Sequence, residues 1–448
     1  MTKNIKNWLS ENPLCNSVRA ATCDLNGIWR GKRFPINQLD KLIGSGTRMP
    51  LSSSCVDIWG TDLLDSSFLF ETGDSDGIAL PTDRGFVPCL WLSRPTALIP
   101  LSIFTEDGNP SPIDPRHVLR RVCKAFQDEN LQPSLAFEIE FYLLDSKSKN
   151  PIAPNLPITK ERMSTTSVLS IDDMDEFEHF FSDVFKACEL QGIPAETSIS
   201  ENAIGQFEVN LKYSDNPVKA ADDAVLLKRL IKGIAKKHSF RATFMAKPFL
   251  LQSGSGMHLH FSVLDKSGKN IFDNGTPAGS TYLLNAVAGL IEFMKESTLI
   301  FAPNLNSYRR LAPDTHAPTG ICWGYENRTT SIRIPGGENS SRRIEHRVAG
   351  ADANPYLVAA AILSAALDGI KRKRIAPEPI AGDSYGCQTE KIPLDWQSAI
   401  DFFFKSGSMA SFFPGQFSET FAKCKLQEFE KFRARMDSFE LDTYLDST

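Results

Sequence analysis

The sequence predicts an α+β protein, with a small strand-rich N-terminal domain over residues 1–113 and a larger domain over residues 114–448 in which helices back a curved sheet. Three observations lead to this reading. A hairpin signal stands near the start, the texture of the chain changes at Asp114, and four later segments carry functional side chains at every second position.

The elements follow in chain order. Val18 to Leu25 and Ile28 to Phe34 flank Asn26-Gly27, the strongest two-residue turn signal, and read as a hairpin. Residues 35–113 are rich in Pro, Gly, Ser and Asp, as expected of short strands with long connections. Asp114-Pro115 supplies an N-cap and a proline at the first helical position, so a helix should run to about Asn130. Asp172 to Gly192 is amphipathic, with Phe177, Phe180, Phe181, Val184 and Phe185 at helical spacing. Asn216-Pro217 opens a helix ending near His238. Tyr282 to Thr298 forms another, and Asn354-Pro355 opens a third over Tyr356 to Ile370. No internal repeat and no Walker or dinucleotide glycine signature occurs, so a nucleotide would not be held by a P-loop.

Composition narrows the function classes. The hydrophobic fraction is 42%, the charged fraction 23% and the net charge −5, which is an ordinary globular balance. No basic excess exists to neutralise nucleic-acid phosphates or an anionic membrane. The run Lys371-Arg372-Lys373-Arg374 follows a helix, where cations suit the C-terminal dipole. Nine cysteines are scattered without a C-x-x-C, as expected of reduced thiols in a cytoplasmic protein. The N-terminus shows no apolar leader, and the most apolar stretch, Tyr356 to Ile370, is too short and too polar to span a membrane.

The chemistry is carried by the four alternating segments. In 136–142, Glu138 and Glu140 share one face, and Phe137, Ile139 and Phe141 the other. In 257–263, His258, His260 and Ser262 align opposite four apolar residues. In 206–210, Glu208 aligns with Gln206 and Asn210. In 343–348, Arg343, Glu345 and Arg347 align, while His346 points with Ile344 and Val348. A merely solvated face has no need of histidine pairs or recurrent Glu-x-Glu, so the four read as one sheet with a charged concave face. Clustered carboxylates repel unless cations neutralise them. Glu138, Glu140, Glu208 and Glu345 with His258 form a hard, oxygen-rich set that suits Mg²⁺ or Mn²⁺. Arg310, Arg328, Arg333, Arg343 and Arg347 accompany them, and arginine pairs bidentately with carboxylate and phosphate. Together these groups fit phosphoryl transfer.

At these residues the sequence resembles the glutamine synthetase superfamily. The matching segments are FEIEFYLL at 137–144, GQFEVN at 205–210, GSGMHLHFS at 254–262, NSYRRL at 306–311, NRTTSIRIP at 327–335 and RIEHRVAGADANPYL at 343–357. Within the superfamily the γ-glutamylputrescine synthetases are most similar, through TCDLNGIWRGKRFP at 22–35, RATFMAKPF at 241–249 and RVAGADANPYLVAAAI at 347–362. The resemblance implies an N-terminal β-grasp domain and a catalytic domain whose antiparallel sheet surrounds a bifunnel-shaped site. It implies a homo-oligomer, commonly a dodecamer of two hexameric rings with sites shared between subunits. It also implies ATP-dependent joining of an amine to the γ-carboxyl of L-glutamate through γ-glutamyl phosphate.

Roles carry over by position. Glu140, Glu201 and Glu208 match the ligands of the metal nearer the amino acid, and Glu138, His258 and Glu345 those of the metal at the nucleotide phosphates. Arg310, Arg347 and the Gly254 backbone match glutamate-binding groups, with His258 beside them. Arg328 and Arg333 match the arginines that steady the phosphate, and His260, Ser262 and Arg343 fall where ATP is bound. Two departures concern the amine. Ammonia-using members carry a glutamate just before Ala-Pro in the loop after NSY-[KR]-R-L, and His316 occupies that position here. A neutral or cationic imidazole attracts ammonium poorly but can act as a general base. Their Phe-Asp-Gly-Ser-type segment is replaced by 52–60, where Asp57 is the candidate to approach a neighbouring site. An organic amine is therefore expected, putrescine or another polyamine first. A small monoamine or aromatic amine, ammonia, and a catalytically silent structural member are the alternatives. A distal ammonium would gain ~1–2 kcal/mol from an aromatic face, with Trp59, Trp91 and Trp323 as candidates.

Overall fold

The computed structural model describes residues 2–71, 73–165, 168–313, 317–405 and 407–447. Two sheets organise them. The first holds β1 (Ser17–Cys23), β2 (Trp29–Pro35), β3 (Thr47–Pro50), β4 (Asp76–Pro81), β5 (Val87–Pro88) and β6 (Ala97–Phe104). Its order is β2-β1-β6-β4-β3, with β5 also on β6. β1 lies parallel to β6, Arg19 opposite Leu98, and the remaining pairs are antiparallel. First and last strands side by side and parallel give the β-grasp arrangement.

The hairpin forms, but not with the expected two-residue turn. Pairing stops at Cys23 and Trp29, and five residues, 24–28, make the loop. One Asp24 carboxylate oxygen accepts the N–H groups of Asn26 (2.9 Å) and Ile28 (2.8 Å), and Gly27 takes a φ of +74°. That side-chain bridge substitutes for a tight turn. It also frees the loop to dock. Asn354 donates from Nδ2 to the carbonyls of Asp24 (3.0 Å) and Leu25 (3.3 Å), while its Oδ1 caps the helix Pro355–Arg372 at Tyr356 N–H (3.0 Å).

The second sheet holds β7 (Gln132–Asp145), β8 (Ala195–Ser200), β9 (Gln206–Leu211), β10 (Phe240–Thr243), β11 (Met257–Leu264), β12 (Trp323–Tyr325), β13 (Ile332–Ile334) and β14 (Ile344–His346). Its order is β12-β13-β14-β11-β7-β9-β8, with β10 also on β7. The four segments read as one charged face are therefore contiguous, as β14-β11-β7-β9. β7 is the spine. Its first part pairs with β11 and its later part with β9 and β10, all antiparallel. Phe137, Ile139, Phe141, Phe207, Val209, Leu259, Phe261 and Ile344 are fully buried on the reverse face. Each such side chain is worth about 1.5–3 kcal/mol of apolar burial. Helices Pro115–Asp128 and Pro217–Lys237 cover that face, and Pro355–Arg372 packs on both.

Asp114, Asn216 and Asn354 cap their helices as expected. Two expected helices are broken. Residues 172–192 form Ile171–Glu176 and Glu178–Gln191, and 282–298 falls within Thr281–Glu292 and Met294–Phe301. The breaks fall on Phe177 and Phe293, whose backbones leave the helical region. Phe177 turns in against Phe207 and Phe240, and Phe293 against Phe412. Aromatic burial overrides periodicity at both points. Three residues of the basic run are ion-paired, Arg372 and Arg374 with Asp368 (2.7 and 2.8 Å) and Lys371 with Glu129. All nine cysteines are free thiols. No described helix is long and apolar enough to cross a membrane.

Asn354 thus joins a helix cap to the hairpin loop. Asn354→Ala is expected to lower unfolding stability by about 2 kcal/mol, read by urea denaturation. Asn354→Asp keeps the capping oxygen but loses the amide that reaches the loop, and should lose only part of this; a loss equal to that of Asn354→Ala would mean that the cap contributes nothing.

Candidate active site

β7, β9 and β11 bring their acidic and imidazole side chains to one cavity of about 530 Å³. Register does this. Glu138 lies opposite His258 on one side and Asn210 on the other, and Glu140 lies opposite Glu208. Glu201, from the loop after β8, completes four carboxylates around the space. Gly254, His258, Arg310, Arg328 and Arg347 line the same cavity.

The carboxylates are individually positioned. Glu140 Oε2 accepts the Gly256 N–H (2.7 Å) and Gln206 Nε2 (3.1 Å), and Gln206 also donates to the Gly254 carbonyl (3.0 Å). A Cβ on Gly254 would stand 2.6 Å from the Ala246 carbonyl and 2.7 Å from Arg310 Cγ, so only glycine lets this loop lie against Arg310. Arg310 is buried and donates to the carbonyls of Val348 (2.8 Å) and Arg347 (3.2 Å). Glu138 meets His258 Nδ1 (3.4 Å) and His260 Nε2 (3.0 Å). Glu345 pairs with Arg347 through one oxygen and with Arg333 (2.8 Å) through the other. Arg343 Nε lies 3.3 Å from His260 Nδ1. Ser262 is further along β11, about 13 Å from His258 by strand rise and opposite Ser134. His346 is buried on the apolar side against Phe301, and burial pushes its imidazole down to about 3.

Burial alone would raise every carboxyl here. For Glu138, hydrogen bonds from His258 and His260 more than offset burial and hold it well below the usual range. For Glu345, burial is outweighed by Arg347 and the two histidines, leaving it at about 2. For Glu201 and Glu208 the lowering contributions, Arg328 and the Asn202 N–H for the first and Asn210 for the second, do not offset burial and the neighbouring carboxylates. Burial and then the Glu140 charge push Glu201 up to about 8, and burial with Glu138, Glu140 and Glu201 raises Glu208 well above its ordinary range. This frustration fits a divalent cation. Glu138, His258 and Glu345 form one group, and Glu140, Glu208 and His258 another, each with ligand atoms within 4.8 Å of one another. Oxygen donors with one imidazole are a hard set.

Two sequence-predicted residues stand apart. His316 lies outside the described residues. Asp57 requires correction. Its carboxylate is fully buried, with Oδ1 accepting the N–H groups of Trp59 (3.0 Å) and Thr61 (2.9 Å), and Oδ2 held by Gln427 (3.0 Å) and Lys431. It fastens the N-terminal segment to the helix Gly415–Arg433 and is not presented to a reactant. The three tryptophans do not line the cavity either. Trp59 packs at a tilt against Phe432, Trp91 packs on Arg229, and Trp323 is buried with its Nε1 bonded to the Pro377 carbonyl. Sequence reasoning missed the bridging roles of Gln206 and Gly256. Gln206 was visible on the Glu208 face, but its use depends on the 253–256 loop, which no spacing reveals.

The family described as the glutamine synthetase catalytic domain matches residues 112–444. The γ-glutamylputrescine synthetase PuuA of Escherichia coli K12 is 35% identical, over 99% of this chain and 94% of that protein. The glutamate–isopropylamine ligase of a Pseudomonas species is 33% identical, over 96% and 95%. The solved structure of GmaS in complex with ADP has a TM-score of 0.85 at 26% identity, covering 98% of this chain and 99% of that one.

The raised Glu201 carboxyl has a testable sign. Its folded value, about 8, lies above the reference value of 4.5, so the metal-free fold loses stability as pH rises through that window. Mg²⁺ should therefore raise the thermal midpoint more at about pH 8.5 than at about pH 5.5, and Glu208→Gln should shrink the difference. A rise independent of pH in the parent would break the link between these carboxylates and the cation.

Proposed function

This chain belongs to the glutamine synthetase family and is an ATP-dependent glutamate–amine ligase, and from that premise we propose that its amine is organic, with putrescine the first candidate. The observation that carries this reading is the contrast between two halves of the chemistry. Carboxylates, histidine and arginines for glutamate and phosphate converge on one cavity. The carboxylate expected for ammonium is replaced by His316 in the sequence, and Asp57 is consumed by the fold. The two organic-amine ligases that the chain resembles over most of their length support the same choice.

The proposed division of labour follows the positions. Glu140, Glu201 and Glu208 hold one cation and Glu138, His258 and Glu345 another, with Mg²⁺ or Mn²⁺ as the ions. Such a cation, when bound, supplies Lewis-acid neutralisation of phosphate charge. Arg310, Arg347 and the Gly254 backbone orient glutamate. Arg328 and Arg333 steady the phosphoryl group, and His260, Ser262 and Arg343 contact ATP. The γ-carboxylate of glutamate attacks the γ-phosphorus, ADP leaves, and γ-glutamyl phosphate forms. The unprotonated amine then attacks the acyl carbon, phosphate leaves, and the nitrogen gives up a proton. His316 is proposed to act in this second half, shaping the amine subsite or taking that proton. Fixed donors that meet charge as it develops supply most of such catalysis.

We further propose a two-domain division at residues 113 and 114, a cytoplasmic location and a ring-forming homo-oligomer, commonly a dodecamer. Free thiols support the location. The exposed apolar side chains of Met436, Phe439, Tyr444 and Leu445 support self-association.

Glutamate-dependent phosphate release from ATP, measured with putrescine, spermidine, methylamine, isopropylamine and ammonium in turn, tests the amine. Putrescine is expected to give the highest kcat/KM; the highest value with ammonium would reverse the reading. His316→Ala is expected to slow amine transfer by roughly tenfold or more while glutamyl-phosphate formation, read as hydroxamate, changes less. Equal loss in both half-reactions would remove His316 from the amine step.

A further inference from the structure

A second cavity, about 630 Å³ against about 530 Å³ for the carboxylate cavity, lies between the hairpin loop and the helix Pro217–Lys237. Its charge is opposite. Arg19, Lys228, Arg229, Lys232 and Lys236 line it, and Asp352 is the one carboxylate in its lining. Among the described residues, none of these five cations forms an ion pair. Arg19 donates to Thr96 Oγ1 (2.9 Å), Lys228 to the Ala353 carbonyl (3.1 Å), and Arg229 only weakly to Cys89 Sγ (3.9 Å). Asp352 is already engaged by Asn304 Nδ2 (2.7 Å) and Ser307 Oγ (2.6 Å).

The arrangement works against itself unless an anion joins it. Lys228, Lys232 and Lys236 follow at four-residue intervals, so they share one helix face, where like charges on neighbouring turns are destabilising. Burial pushes the Lys228 ammonium down to about 7, with the Lys232 charge acting in the same direction. The aromatic wall is built around this row. Lys228 and Lys232 each stand 5.5 Å from the Phe244 ring centre, and Arg229 lies 5.3 Å over Trp91. A Cβ on Gly233 would meet the Trp91 ring at 2.3 Å, so glycine is what lets the indole lie against the helix beside the lysines.

We propose that this cavity binds a small polyanion, a molecule bearing two or more carboxylate or phosphate groups, between the lysine row and the two arginines. The guanidinium forks match either oxyanion. The volume suits a small molecule. The ring faces of Trp91 and Phe244 are taken by protein cations, so charge recognition, not stacking, selects the ligand. The site is also tied to the catalytic cavity. Ser307, which holds Asp352, begins the short helix Ser307–Arg310, and Arg310 lines the carboxylate cavity.

Isothermal titration of the full-length protein with citrate and, separately, with pyrophosphate tests this, at constant ionic strength and without divalent cations. Saturable binding of at least one probe is expected, the tighter arm distinguishing carboxylate from phosphate recognition. The double variant Lys232→Glu, Lys236→Glu changes two exposed side chains, and its thermal midpoint checks the fold. It should weaken that binding at least about tenfold. Equal binding by parent and variant, or no saturable binding of either probe, overturns the proposal.

Discussion

The structure depends on holding several buried carboxylates together on one face of a sheet. Glu138, Glu140, Glu201 and Glu208 line a single cavity, and Glu345 stands beside it. In a low-dielectric setting such charges repel strongly and lose hydration. The fold meets this in two ways. Glu138 and Glu345 are compensated from within the chain by histidines and arginines. Glu201 and Glu208 are compensated less, and burial with the neighbouring carboxylates raises them. A divalent cation would answer the repulsion that remains, so the electrostatic cost of the cluster and its capacity to hold a metal have one cause.

A charged face can be rigid only if its reverse is. The fully buried aromatic and aliphatic side chains of β7, β9, β11 and β14 supply that backing under three helices. One of these helices meets a further helix at backbone distance. A Cβ on Gly289 would stand 2.1 Å from the Ala365 carbonyl, and one on Gly369 2.1 Å from that of Asn285. This close approach of helices Thr281–Glu292 and Pro355–Arg372 leaves the second layer little freedom to shift.

The N-terminal segment is fastened by polar contacts of long sequence separation. Lys425 and Glu428 form a buried pair, Lys425 also reaches Asn26 Oδ1, and Glu428 accepts the Ile58 N–H (2.8 Å). Asp57 with Lys431 adds to it. Breaking such a pair from one side costs about 3–5 kcal/mol, because the partner is left buried and uncompensated. The helix Gly415–Arg433 therefore fastens the hairpin loop and the segment around Asp57 and Ile58. The fastening role of Asp57 could not be read from its own segment, because the partners of its Oδ2, Gln427 and Lys431, lie more than 350 residues away in the chain.

Much was decided by local order alone. Period-two alternation assigned Glu138, Glu140, His258, Glu208 and Glu345 to polar faces and His346 to an apolar one, because a strand's geometry leaves a side chain only two directions. Asp114, Asn216 and Asn354 announced helix starts for an equally local reason, an oxygen within reach of the next free N–H groups. Tertiary structure decided which strands are neighbours, and so that Glu140 faces Glu208 and that Gln206 bridges Glu140 to the 253–256 loop. It also turned Asp57 into a fastening, broke two helices at Phe177 and Phe293, and placed the lysine row of one helix along a cavity. Direction on an element is set by the backbone of that element. Partnership is set by register, burial and chain crossings, which depend on contacts between residues that the linear sequence keeps far apart.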